Sequence, residues 1–134
     1  MFARTILLAL ALAGPASSQE ADVEAGRDLY MTYCWQCHGP YASGNGPMAE
    51  ILAIPTPDLT RLAAENNGVF PLEAIARQID GRDALLAHGG EMPIFGPFLD
   101  TDQAVAFRLP SGQPMLTSQP LADVIVYLES LQDE

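Results

Sequence analysis

Both cysteines of this 134-residue chain lie in Cys34-Trp35-Gln36-Cys37-His38, and one of its two histidines completes the run. Three chemistries use such a pattern: a dithiol redox couple, a metal site and covalent haem attachment. A thioredoxin-like couple needs its first thiol activated at a helix N-terminus, whereas Cys34 falls at the end of a helical pattern. A zinc site draws four ligands from separated pairs. Two sulfurs with an adjacent imidazole are an incomplete set, and the other histidine, His88, stands alone. A disulfide between Cys34 and Cys37 would close a small strained ring and staple nothing. Haem attachment uses all three groups. Two thiols add to the two vinyl groups of one porphyrin edge, and the next residue, His38, is carried under the iron as proximal ligand. The spacing is set by the macrocycle.

A carrier haem needs a second axial ligand, and methionine is the one that raises the potential. Besides Met1 there are Met31, Met48, Met92 and Met115. Met31 falls within the first helical pattern, too close to the proximal side. Met48 and Met115 read as filler. Met92 is favoured, because Gly89, Gly90 and Pro93 around it fix an extended loop that can carry sulfur over the iron. His88 is the rival ligand, with a propionate contact or a plain loop position as its other readings. Tyr33 and Trp35 are candidates for the haem edge or for ordinary packing. Arg61 and Arg82 are candidates for neutralising propionates or for solvated surface.

These residues need elements to hold them. Val23, Gly26, Leu29, Tyr30 and Tyr33 recur at helical spacing after Glu20, Asp22 and Glu24, which predicts a helix from about Asp22 to Cys34. Glycines and prolines punctuate residues 39–57, leaving room only for a short turn at Met48 to Leu52. Asp58 to Glu65 and the segment opened by Pro71 and closed by Asp80-Gly81 predict two short helices. Residues 87–114 read as mostly irregular, with a small hairpin expected from Ala104 to Leu109 and beyond Gln113. Ser118 is expected to cap a last helix, tolerant of Pro120 in its first turn, with Leu121, Val124, Ile125, Leu128 and Leu131 on one face.

Arg4, eight apolar residues from Ile6 to Ala13 and small residues at Ala16 and Ser18 read as an export signal over residues 1–18. The apolar run is too short for a span that needs about 20 residues. Residues 19–134 then form one domain, expected to be soluble and periplasmic. Removing the signal takes away one of six basic residues and none of seventeen acidic ones, so the charge becomes 5 − 17 = −12. Lysine is absent. Nucleic acid and anionic membrane surfaces are therefore excluded as partners by like-charge repulsion. The acidity serves solubility or steers a basic partner.

The chain resembles the class I c-type cytochromes, a family of small mono-haem proteins. The likeness spans Gly26 and Tyr30, CWQCH, GNGP at 44–47, TPDLT at 56–60, EMP at 91–93 and the terminal VIVYL with Tyr127. Within that family it is similar to bacterial members grouped with haem domains of cbb3-type oxidases. The resemblance implies an all-α, cytochrome c-like fold of three to five helices around one covalent haem c, with His38 and Met92 axial. It also implies crossing first and last helices, Gly26 and Tyr30 meeting Tyr127. Residues 95–118 are a longer excursion than minimal members carry, and the lysine ring through which some members dock is missing. The expected function is electron transfer, iron cycling between Fe(III) and Fe(II), in a monomer that meets redox proteins transiently. The competing readings are a haem subunit dedicated to a periplasmic dehydrogenase or sulfur-oxidising complex, and a gas-binding or peroxidatic protein with an open sixth position.

Overall fold

The computed structural model describes residues 20–82, 92–109 and 111–132. The export signal expected over residues 1–18 and His88 lie outside them. Among the described residues six helices and one hairpin follow in the order α1 (Val23–Tyr33), α2 (Trp35–His38), α3 (Leu62–Glu65), α4 (Leu72–Asp80), α5 (Gly96–Leu99), β1 (Ala104–Arg108), β2 (Pro114–Ser118) and α6 (Gln119–Ser130). Short 3-10 turns stand at Ala49–Ile51 and Leu59–Arg61. The architecture is mostly helical, as expected. Three of the helices, α2, α3 and α5, are single turns of four residues.

Helix α1 starts because Asp22 leaves the helical region and its carboxylate accepts the free amides of Glu24 and Ala25, at 2.8 and 3.1 Å. Its buried face is Gly26 and Tyr30, one turn apart, and that face crosses α6. At Gly26 the backbone approach is close. A Cβ there would fall on the Asp123 carbonyl and within 2.9 Å of the Tyr127 Cβ, so only glycine lets the helices meet. The Tyr30 and Tyr127 rings lie alongside, centroids 5.4 Å apart and tilted. Asp123, buried in this crossing, accepts the Asp22 amide and the Gln119 side-chain amide, both at 2.8 Å. One carboxylate thus ties the start of α1 to the start of α6.

The core is built from α6, through Leu121, Val124, Ile125 and Leu128, packed with Tyr30, Ala76, Ile79 and Leu99. Ser118 stands at the α6 N-cap as expected, but its side chain makes no capping bond. It ends β2, paired with Ala104, and the Gln119 amide is satisfied by the Gln103 carbonyl at 2.9 Å. Strand pairing has taken over the capping duty. The hairpin has the expected place and is antiparallel, with Val105 opposite Thr117 and Phe107 opposite Met115. These pairs face inward, while Ala106 and Leu116 face out, following the period of two.

Two features differ from expectation. Pro71 stands just before α4 rather than as its first residue, and α5 replaces part of the irregular stretch. Helix α5 forms because Pro97 suits a first helical turn and Leu99 gains core burial. The Phe95 amide, immediately before it, donates to the Ile79 carbonyl at 2.9 Å. The end of α4 is thereby fixed to the segment that carries Met92.

Candidate functional site

Four-residue α2 exposes the usual problem of a helix end, namely carbonyls with no amide a turn ahead. The following loop solves it. The amides of Gly44, Gly46 and Met48 donate to the carbonyls of His38, Cys37 and Gln36 at 2.8, 3.0 and 2.9 Å. Gly44 turns back at φ +77°, and a Cβ on Gly46 would lie 2.6 Å from the Cys37 carbonyl carbon. The GNGP run is therefore the C-terminal cap of the helix that presents Cys37 and His38. The Tyr30 hydroxyl adds a 2.6 Å bond to the Gly39 carbonyl, and burial pushes that phenol's pKa well up. It donates as a neutral group.

His38 is buried, and Nδ1 lies 3.4 Å from the Pro57 carbonyl oxygen, which can only accept. That contact puts the ring proton on Nδ1 and leaves the lone pair on Nε2, the arrangement a metal-ligating imidazole takes. Burial lowers its pKa, which favours the neutral, ligating form. Cys34 closes α1 and opens α2. Burial first, and the neighbouring Cys37 second, push its thiol up to about 12. A redox-active thiol is shifted the other way, so the environment of Cys34 is not that of a dithiol oxidoreductase. Among the described residues no group of three His, Cys, Asp or Glu side chains stands close enough to hold a metal ion.

Cys34, Cys37, His38 and Met92 all line one cavity of about 440 Å³, within the range of about 300–1,000 Å³ for cofactor and ligand pockets. Its other walls come from Leu52 to Leu59, from Ile75, Gln78 and Ile79 on α4, and from Val124 and Leu128 on α6. Among the described residues that line it, Tyr30, Thr56 and Gln78 supply the polar side chains besides the thiols and the imidazole, and none is charged. Thr56 Oγ1 is buried without a hydrogen-bond partner among the described residues. An orphan hydroxyl in an apolar wall costs free energy until something polar meets it. A flat apolar group with polar substituents at its edge suits these walls, and two thiols and a free imidazole nitrogen suit haem c.

The sequence-predicted residues divide accordingly. Met92 reaches the cavity, while Met31 and Met48 are exposed and Met115 packs on the core. Trp35 packs against the core instead of lining the cavity. Tyr33 forms a half-exposed cluster with Phe95 and Phe98, ring centroids 6.1–6.5 Å apart. Arg61 and Arg82 are exposed and paired with Glu65 and Asp80, away from the cavity. Sequence reasoning missed Thr56 and Gln78, whose roles arise only where distant segments meet. It also missed Gln132, whose side chain bonds Leu59 and Leu128 carbonyls and the Ala63 amide at 2.7–2.9 Å. That clamp holds the far wall onto the end of α6. No helix among the described residues is long and apolar enough to cross a membrane.

The cytochrome c family model matches residues 23–132. No curated protein matches the chain. The match covers everything from the first residue of α1 to the Gln132 clamp and does not single out the cbb3-type group. The chain belongs to the cytochrome c family, whose members bind haem c covalently and use it to transfer electrons.

Proposed function

We propose that this chain is a periplasmic mono-haem electron carrier in which Cys34 and Cys37 form the thioethers and His38 and Met92 hold the iron. The observation that carries the reading is the convergence of both thiols, the buried imidazole and one methionine on a single apolar cavity. Bound haem supplies a one-electron Fe(III)/Fe(II) couple. The protein's own part is to present the unprotonated Nε2 of His38, the ring proton on Nδ1 facing the Pro57 carbonyl, and to offer the Met92 thioether, a ligand that would raise the potential. The apolar walls keep water away and favour the less charged reduced state. With His38 and Met92 both holding the iron, no substrate would have to bind it and little would have to move. The chain is read as a carrier rather than an enzyme, acting as a monomer on redox proteins that dock transiently. Its excess of acidic residues supports partners of opposite charge. The export reading rests on residues 1–18.

The test is to produce the protein with a working haem-maturation apparatus and measure its mass and ferric spectrum. The expected product weighs one haem more than its polypeptide and shows a far-red sulfur-to-iron charge-transfer band that Met92→Ala abolishes. A polypeptide carrying no haem would overturn attachment. A high-spin ferric spectrum with rapid carbon monoxide binding would overturn the carrier reading in favour of an open sixth position.

A further inference from the structure

Helix α4 turns three residues toward the cavity, Ile75, Gln78 and Ile79, and one of them is polar. Gln78 is half-buried on a face that otherwise reads apolar, with Ala76 and Ile79 in the core. Its side-chain amide has one hydrogen-bond partner among the described residues. Nε2 donates to the Met92 sulfur at 3.8 Å. Sulfur is a weak acceptor, so a glutamine spent on it calls for a reason beyond stability. A leucine would fit the same face and lose no rotamer entropy to an amide held in place.

We propose that Gln78 is a positioning residue that sets the reduction potential by donating a hydrogen bond to the sulfur of Met92. The inference rests on the reading of Met92 as axial ligand. A thioether sulfur carries two lone pairs. An amide held on one leaves the other to face the iron, which selects one orientation of the methionine. The same bond draws electron density from sulfur and weakens its donation. Ferric iron depends on that donation more than ferrous iron does, so the reduced state gains. The amide N–H dipole points its positive end at the same place and acts with the same sign, strengthened by the low dielectric of the walls. The Phe95 amide bond to the Ile79 carbonyl locks the Met92 segment to the helix that carries the donor, so the contact is held by backbone and not by side-chain chance.

The test uses the holoprotein. Gln78→Met keeps the side-chain volume and removes the donor, and Gln78→Glu replaces the donor with an acceptor. The expected result is a shift of the Fe(III)/Fe(II) equilibrium toward the oxidised form, about two- to tenfold for Gln78→Met, or up to about 59 mV for one electron. Gln78→Glu should shift it further the same way. The far-red band should persist in both variants, and the melting temperature of Gln78→Met should stay near that of the unsubstituted protein. A far-red band retained with an unmoved potential in both variants would overturn the role of Gln78 and leave Met92 ligation standing. Absence of that band in the unsubstituted protein would overturn ligation and, with it, this inference.

Discussion

On the His38 side of the cavity, three backbone amides from residues 44–48 close onto the carbonyls of α2, and the Pro57 carbonyl fixes the imidazole. On the Met92 side, the hydrogen bond that reaches the candidate ligand from the described residues is a glutamine amide on sulfur at 3.8 Å. Backbone bonds of 2.8–3.0 Å define a position that side-chain changes hardly reach, whereas one soft contact can be lost with a single substitution. The difference assigns the two sides different work. On the proposed assignment, the His38 side has to survive covalent attachment and hold its nitrogen in one place. On the same assignment, the Met92 side is where a potential could be adjusted at small structural cost.

The α1–α6 crossing supports the rigid side, since Tyr30 reaches from it to the Gly39 carbonyl just after His38. The largest effect is therefore expected from Gly26→Val. Its side chain would fall on the Asp123 backbone and against Tyr127, neither of which is a flexible tip that can yield. The cost should lie at or above the roughly 3 kcal/mol upper end of ordinary overpacking. Thermal unfolding of the purified holoprotein checks it. A melting temperature unchanged from the parent would mean that the crossing is loose and that the rigidity assigned to the proximal side comes from elsewhere.

A smaller loss is expected from Asp123→Ala. It strands the Asp22 amide and leaves the Gln119 side-chain amide with only its 3.2 Å bond to the Glu20 carbonyl, the two having shared one carboxylate oxygen, and should cost about 1–2 kcal/mol. Hydrogen exchange gives the sharper reading. Protection should fall at the first turn of α1, while the amides of Gly44, Gly46 and Met48 keep theirs, because their bonds do not pass through Asp123. Loss of protection in both places would show that the crossing and the α2 cap unfold as one unit, and the contrast between rigid and soft would have to be drawn farther out.

How much of this is legible in the sequence follows from range. CWQCH is legible because its spacing is covalent, set by a porphyrin edge and not by a fold. Met92 can be singled out as a candidate because glycines and a proline around it announce a shaped loop, and the structure sets it in the cavity wall. The first and last helices are legible through their apolar period, and the hairpin through its turn residues. Thr56, Gln78 and Gln132 are not, since each is a polar residue whose meaning comes from a partner 14 or more positions away or from a cavity wall. Glycines of the GNGP run announce a loop, but nothing local says that their amides cap α2. Ser118 shows the same limit from the other direction: a good local cap loses its task to a strand partner fixed by residues 104–108.

The smallest effect tests whether the soft side is soft only at its inner face. Glu73 lies on the outer face of α4 and accepts from Arg77 at 2.9 and 3.1 Å, with both side chains about half exposed. It is also the acidic residue of a first turn whose N-cap, Pro71, offers no side-chain bond, so it favours the helix through the dipole as well. Glu73→Gln should lower stability by about 0.5 kcal/mol, an amount that shrinks as salt is added. Its reduction potential should match the parent, because the charge removed is paired, solvent-screened and on the side of the helix away from Met92. If Glu73→Gln moved the potential as far as Gln78→Met, α4 would be acting on the methionine as a body, through its fit against the segment from Met92 to Phe95. An unmoved potential in Glu73→Gln beside a lowered one in Gln78→Met confines the control to one amide.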